Sequence, residues 1–352
     1  MKIALLTIWH EKNFGAELQT YATIKTLSER GHKVEAIDFR LHDSKVTSLK
    51  SRFFNVVESF MPANQNFEKF WKSYIPSTRH YIDIDDLNCD PPLADCYLVG
   101  SDQVWNPDIT KEKAAIYFLS FVPEGLMRIS YASSVGANEW SGTLDLTSKV
   151  KVQLSKFDFI SCREDTGAAL LKKQFDVNAA VVLDPTLLRK NFNELIGNYK
   201  KRNTLALYQL YESEELTKAA KFIAIKMNLR FCDVNKIRKI FFNKLLYSRT
   251  SIIDWIRGIA ESEFVVTHSF HGMVLALLYH KQFVIIFNSQ NNRSSRITDL
   301  LKKLSLEDRY FTRVDDALTS NIWNQKIDFE EVDMKLNTLR EKSLFYLTSA
   351  GL

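Results

Sequence analysis

A short apolar run, a polar break and an amphipathic stretch recur along this chain in two separate series, and that alternation limits its fold more than any other feature. Apolar runs of this length read as strands buried on both faces, and the stretches between them carry the 3.6-residue period of helices. In the first series the pattern predicts strands Lys2–Ile8, Lys33–Phe39, Cys96–Val99, Arg128–Ala132, Phe157–Cys162 and Ala180–Leu183. Helices are predicted at Gly15–Arg30, Thr147–Ser155 and Thr166–Lys173. The second series predicts strands Thr204–Gln209, Leu229–Phe231, Phe264–Thr267 and Phe283–Phe287, with helices Ser213–Met227, Ile252–Ser262, Gly272–His280 and Ser295–Leu304. Strand, helix, parallel strand is the unit of a doubly wound sheet. The expected architecture is therefore α/β, with two Rossmann-like domains facing a cleft: residues 1–190, then 191–325, with a closing helix in 326–352 packing back across the boundary. At 352 residues the chain is long enough for two cores.

Two stretches depart from the alternation. Residues 42–79 are rich in aromatics and read as helical excursions rather than sheet. Between Lys221 and Arg249 stand eight Lys or Arg and one acid, Asp233, among Ile237, Ile240, Phe241, Phe242, Leu245 and Leu246. A surface for an anionic membrane or a lipid-linked substrate fits this composition, and so does a solvated helix with one buried face. The net charge of +5 is too small to argue for nucleic acid. The N-terminal apolar run is shorter than a secretion signal, and no stretch reaches the length of a membrane span, so a cytoplasmic location is expected. Cys89, Cys96, Cys162 and Cys232 form no CxxC pair and read as buried reduced thiols.

No GxGxxG, GxxxxGK[ST], GxSxG or HExxH occurs, which disfavours dinucleotide redox chemistry and P-loop nucleotide hydrolysis. Chemistry is expected instead where strands end. Val265-Val266-Thr267-His268-Ser269-Phe270-His271-Gly272 runs an apolar strand into a polar pair and a helix start. Free N–H groups and the positive dipole end suit an anion there, and His271 can transfer a proton near neutral pH. A helix-capping Ser269 beside a structural histidine is the plainer alternative. His268 and His271 are three apart, but no carboxylate is near in sequence, and no metal is expected.

Gly100-Ser101-Asp102-Gln103-Val104-Trp105-Asn106-Pro107 follows another strand. Asp102 is placed to act as a base or hold a sugar hydroxyl, and Trp105 to offer a flat stacking surface, although the same residues also make a turn. In Ser161-Cys162-Arg163-Glu164-Asp165, Arg163 offers a planar fork for a carboxylate or phosphate, or pairs at the surface with Glu164 or Asp165. Asn13-Phe14-Gly15-Ala16-Glu17-Leu18-Gln19 opens the first helix, where Asn13 caps and Gly15 exposes donors, with or without a ligand. Arg293 and Arg296, in Asn291-Asn292-Arg293-Ser294-Ser295-Arg296, mark one more candidate anion site.

Taken in order, NFGAELQ, ISYASSVG, GSDQVWNP, SCREDTG, VLDPTLL, THSFHG and NNRSSRITDLL resemble the polysaccharide pyruvyl transferase family, from Asn13 to about Leu301. The resemblance implies a glycosyltransferase-B-like fold, phosphoenolpyruvate as donor substrate, no cofactor, and a cyclic ketal on a hexose of a lipid-linked oligosaccharide as product. It implies a catalytic role for His271, donor binding by Arg163 and an acid near the donor at Asp102. Asn13, Gly15, Gln19, Trp105, Asn106, Ser269, Phe270 and Gly272 fall within the matching motifs as candidate substrate contacts. Some members carry an arginine two residues before the histidine; Ser269 stands here, which leaves Arg293 and Arg296 as the expected phosphate ligands. A sugar-nucleotide glycosyltransferase of the same architecture and a non-catalytic scaffold of a capsule-building complex are the rival readings.

Overall fold

The computed structural model describes residues 1–41, 62–241, 244–287 and 294–352. These divide into two compact units. The first holds the described residues of Met1–Val57, Lys69–Arg189 and Asn337–Leu352; the second holds those of Glu58–Glu68 and Lys190–Leu336.

The first unit is built on five parallel strands: β1 (Lys2–Leu6), β2 (Lys33–Phe39), β3 (Ser77–Tyr81), β4 (Cys96–Val99) and β5 (Met127–Ser130). Their order is β3-β2-β1-β4-β5, the doubly wound arrangement that brings strand carboxyl ends to one edge. The central strands are apolar because helices cover both faces; Ile3, Leu5 and Leu6, like Leu98 and Val99, are fully buried. A separate two-stranded sheet of β6 (Ser161–Cys162) and β7 (Ala180–Val181) completes the unit.

The second unit repeats the plan. Strands β8 (Thr204–Tyr208), β9 (Arg230–Asp233), β12 (Phe264–Thr267), β13 (Gln282–Ile286) and β14 (Tyr310–Phe311) pair in the order β14-β13-β12-β8-β9, all parallel. Strands β10 (Lys236–Phe241) and β11 (Lys244–Arg249) form an antiparallel ribbon of their own, with Lys236 opposite Arg249 and Phe241 opposite Lys244. Among the described residues no helix is long and apolar enough to cross a membrane.

Several expectations need correction. The basic stretch is not one helix: its helix ends at Lys226, and β9 and the β10–β11 ribbon follow. The ribbon's Lys236-Ile237-Arg238-Lys239-Ile240-Phe241 is rich in β-branched and aromatic residues, which suit an extended chain. The 42–79 stretch does hold a helix, Pro62–Tyr74, but Pro76 ends it and Ser77 already lies in β3, paired with β2. Phe53, Phe54 and Phe60 lie outside the described residues. Two of the cysteines, Cys89 and Cys232, are exposed rather than buried.

The last helix runs over Phe329–Ser349, and its part from Asn337 onward belongs to the first unit. There the Arg340 Nε donates to the Leu187 carbonyl at 2.9 Å, Ser343 Oγ accepts from the Leu183 N–H at 2.9 Å, and the Tyr346 hydroxyl donates to the Ser130 carbonyl at 2.8 Å. These bonds tie off β5 and the segment after β7, just behind the strand ends where the polar residues gather.

Candidate functional site

In the first unit, β4 ends at Val99 and the chain turns through Gly100, Ser101 and Asp102. Asp102 adopts φ +78°, a left-handed conformation uncommon outside glycine. Its own carboxylate steadies the turn by accepting from the Gln103 N–H at 2.9 Å, and its carbonyl accepts from the Ser134 N–H at 2.9 Å. The distortion aims a carboxylate across the edge of the sheet toward Arg163, which leaves β6 at its carboxyl end.

Arg163 is neither a surface residue nor a free fork for a ligand. Its side chain is 2 % exposed, and its Nη1 donates to Asp184 at 2.8 Å and to Ser101 Oγ at 3.4 Å. Asp102 lies 3.7 Å from Nη2 and Glu164 3.7 Å from Nε. Burial alone lowers the pKa of a guanidinium, but Asp184, then Asp102 and Glu164, more than offset this and hold Arg163 charged. The anion it grips is therefore the protein's own. Asp184 is fixed in turn by Ser101 Oγ at 2.9 Å and by the N–H and hydroxyl of Thr186 at 3.0 and 2.5 Å. Glu164 accepts from Ser134 Oγ at 2.6 Å and from the Gly136 N–H at 3.3 Å. Gly136, at φ +63°, has no room for a Cβ, which would fall 2.5 Å from Gln103 Oε1.

Arg163→Met is expected to destabilise the protein by about 3–5 kcal/mol at neutral pH, because it strands buried carboxylates without their shared cation. The deficit should shrink as pH falls, since an unpaired buried carboxylate takes up a proton more readily. Chemical denaturation of both proteins across pH checks this, and superimposable curves would refute it.

Trp105 is not a sugar platform. It is fully buried, its ring stacks on Phe118 with centroids 5.2 Å apart, and its Nε1 donates to the Tyr117 carbonyl at 2.9 Å. Asn106 is equally internal: it caps the short helix Pro107–Thr110 through the Asp108 N–H at 3.0 Å and donates to Gln103 Oε1 at 3.0 Å. Asn13 caps the Phe14–Glu29 helix through the Gly15 N–H at 3.0 Å, and Gly15 is buried there. Gln19 is a brace, donating to Thr7 Oγ1 and Thr20 Oγ1 at 3.0 Å each, while Thr7 donates to the Ser101 carbonyl at 2.7 Å. That chain of bonds links the end of β1 to the end of β4. These burials, set by packing from remote segments, turn expected ligand contacts into framework.

In the second unit β12 ends at Thr267 and the helix Phe270–Leu278 begins three residues on. Ser269 caps it, its Oγ accepting from the Gly272 N–H at 3.4 Å while its own N–H donates to Thr267 Oγ1 at 3.0 Å. Gly272 allows the helix to start hard against the strand ends, since a Cβ there would meet Thr267 Oγ1 at 2.6 Å and Tyr208 at 2.8 Å. His271 and Phe270 occupy the first turn, with rings 5.2 Å apart, and His271 is 7 % exposed. The half-buried Arg296, in the first turn of the helix Ser295–Leu304, sets its guanidinium 5.9 Å from the Phe270 ring centroid. Arg293 lies outside the described residues.

His268 has a different task. Its Nε2 accepts from the Leu210 N–H at 2.7 Å, and its ring stacks on Tyr211 at 4.2 Å. Burial holds its pKa down at about 4, so at neutral pH it is an uncharged acceptor that secures the loop after β8.

The structure thus brings Asp102 and Arg163 together in one unit, and Ser269, Phe270, His271, Gly272 and Arg296 together in the other. Sequence reasoning missed Asp184, Ser101 and Ser134; it offered Glu164 as a surface partner of Arg163, and the two do lie together, but buried. The signal for Asp184 was present: Asp184-Pro185-Thr186 is a helix cap followed by proline at the first helical position.

The family model of polysaccharide pyruvyl transferases matches residues 13–290. No curated protein sequence matches the chain. Similar solved structures include the Staphylococcus aureus MnaA–UDP co-structure, 10 % identical over 95 % of this chain and 90 % of that one, with a TM-score of 0.53. UDP-GlcNAc 2-epimerase from Neisseria meningitidis bound to UDP-GlcNAc is 10 % identical over 99 % of this chain and 100 % of its own, with a TM-score of 0.52. UDP-GlcNAc 2-epimerase from Methanocaldococcus jannaschii is 9 % identical over 93 % of each chain, with a TM-score of 0.51. At such identities the likeness is one of fold. The two parallel sheets are Rossmann-like, and the fold is glycosyltransferase-B-like.

Proposed function

We propose, from the premise that the chain belongs to the polysaccharide pyruvyl transferase family, that it transfers the enolpyruvyl unit of phosphoenolpyruvate to a hexose of a lipid-linked oligosaccharide in capsular or exopolysaccharide biosynthesis. The observation that carries this reading is His271 in the first turn of a nine-residue helix, next to Phe270, whose ring centroid lies 5.9 Å from the Arg296 guanidinium. A helix start and a guanidinium are what a donor with a phosphate and a carboxylate requires, and an imidazole among them is what its chemistry requires.

The enol phosphate of the donor is a poor electrophile until its methylene carbon gains a proton. His271 is assigned to give that proton, leaving an oxocarbenium-like carbon. A sugar hydroxyl attacks this carbon, forming one C–O bond and releasing its proton to water. A second hydroxyl forms the other C–O bond and returns a proton to His271 as the C–O bond to phosphate breaks, so the products are a cyclic ketal and inorganic phosphate. Arg163 is a positioning residue of the first unit, holding Asp102 and Asp184 in place; in the second unit the helix start and Arg296 meet the proposed donor's charge. No cofactor takes part. The proposed lipid of the acceptor puts the work at the cytoplasmic face of a membrane, and the basic composition between Lys221 and Arg249 suits a contact with its surface.

Sugar-nucleotide transfer is the rival, because the S. aureus neighbour is a UDP co-structure. Thermal unfolding with phosphoenolpyruvate, UDP or GDP separates the two. Ligand at about 100 times its Kd stabilises a protein by about 2.7 kcal/mol. Phosphoenolpyruvate is expected to raise Tm and the nucleotides to leave it unchanged; the reverse pattern refutes the proposal.

A further inference from the structure

The carboxyl ends of β1, β2 and β3 carry a second group of polar side chains that the proposed transfer does not use. Asp38, near the end of β2, receives Arg40 Nε at 3.0 Å and Arg40 Nη2 at 3.3 Å. His80, in β3, places its Nδ1 3.2 Å from the same Asp38 oxygen. His10, in the loop after β1, brings Nε2 to within 3.5 Å of it. The His10 ring lies between two tryptophans, with its centroid 3.7 Å from Trp9 and 4.1 Å from Trp71. Trp9 is fixed by its Nε1 donating to the Ile37 carbonyl at 2.9 Å. Beneath the loop, Glu17 accepts from Trp71 Nε1 at 2.6 Å.

One of these side chains is left wanting hydrogen bonds. The His10 side chain is 8 % exposed, yet neither ring nitrogen has a hydrogen-bond partner. Buried polar atoms are satisfied in most cases, and an exception calls for a partner such as a water, an ion or a ligand group. The charge states of His10 and Glu17 narrow the kind of group. Burial lowers the pKa of His10 to about 4, although Asp38 opposes this, and burial raises that of Glu17 to about 8. At neutral pH both are uncharged, and each can donate one hydrogen bond and accept another. Asp38 is ionised but already balanced by Arg40. Nothing in this group favours an anion or a cation. A neutral molecule whose groups both donate and accept is what it fits, and the half-exposed indole of Trp71 offers an apolar face for the same molecule.

We propose that the ends of β1, β2 and β3 form a carbohydrate subsite, in which Asp38 and His10 hydrogen-bond the hydroxyls of a hexose beside Trp71. Doubly wound sheets bind ligands along this edge. The same edge, one strand further on, carries Ser101 and Asp102 after β4. Adjacent strands lie about 4.8 Å apart, so the end of β2 stands roughly 10 Å from the end of β4, two strands across. The inference rests on the transferase reading only in taking the hexose to be the acceptor; the subsite itself stands on the side chains above.

The test is saturation-transfer NMR of the full chain with the methyl pyranosides of glucose, galactose and mannose at millimolar concentration. At least one glycoside should show transfer from the protein, and Asp38→Asn and His10→Gln should each weaken it by about tenfold or more. Should Asp38→Asn fail to fold by circular dichroism, His10→Gln decides. Unchanged binding in the folded variants, or no glycoside binding by the unmodified chain, overturns the subsite. A phosphoenolpyruvate-induced rise in Tm that persists in both variants keeps the donor reading intact, so the two proposals fail separately.

Discussion

Replacing His271 by alanine is expected to lower pyruvyl transfer by about 10²–10⁴-fold while the protein stays folded. The size follows from the role. Protonation of the donor's methylene carbon is the step that creates the electrophile, and a positioned acid is worth that much in rate. Survival of the fold follows from the surroundings. Ser269, not His271, caps the helix, and Gly272 makes its close approach to Thr267 and Tyr208. The loss should appear in kcat and kcat/KM alike, because the interaction exists only as the proton moves. Phosphoenolpyruvate should still raise Tm, since the helix start and Arg296 remain. Mass spectrometry of a lipid-linked oligosaccharide incubated with donor supplies the readout, the product being heavier by one pyruvate less a water. Turnover near that of the unmodified protein would remove His271 from the mechanism.

His268 shows why the assignment needed coordinates. Two histidines three residues apart at one strand end look alike in a sequence. In the fold one is consumed by the Leu210 N–H and by stacking on Tyr211, and the other stands in the first turn of the helix. The same distinction separates what the sequence makes legible from what it hides. Strands such as Phe264–Thr267 are read easily because a parallel strand buried on both faces must be apolar throughout. The β10–β11 ribbon was obscured by its charges, which serve a solvated helix as well as a ribbon. Arg163 was recognised as a functional cation, but its partner Asp184 stands 21 positions later, and only the return of the chain after β7 brings the two to 2.8 Å. Trp105 illustrates the opposite error. A tryptophan between polar residues suggests an exposed platform, yet Phe118 and Tyr117 close over it from the next turn of chain. Least legible of all was the group around Asp38. His10, Asp38 and His80 come from three separate strand ends, and no local pattern links them.

Glu17 gives the expected result with the clearest pH signature. It stands in the first turn of the Phe14–Glu29 helix, wholly buried, with Trp71 Nε1 on one oxygen. Burial raises its pKa from about 4.5 to about 8, and the bonds from Trp71 and from the backbone of His10 and Glu11 only partly oppose it. Between those two values the folded protein holds a proton on Glu17 that the unfolded chain has released. Stability must therefore fall as pH rises through this window, by about 1.4 kcal/mol per pH unit, and level off above the folded pKa. The accumulated loss is roughly 4–5 kcal/mol. Glu17→Gln keeps the side chain's shape and an oxygen for Trp71 but binds no proton. The variant should match the unmodified protein near pH 4.5, where folded and unfolded chains both still carry much of the proton. It should then become progressively more stable than the unmodified protein by pH 8.5, approaching that 4–5 kcal/mol. Urea denaturation at the two ends of the range measures the difference directly. Parallel pH profiles for the two proteins would mean that Glu17 is ionised within the fold, and its neutral hydrogen-bonding role at the end of β1 would fall with that result.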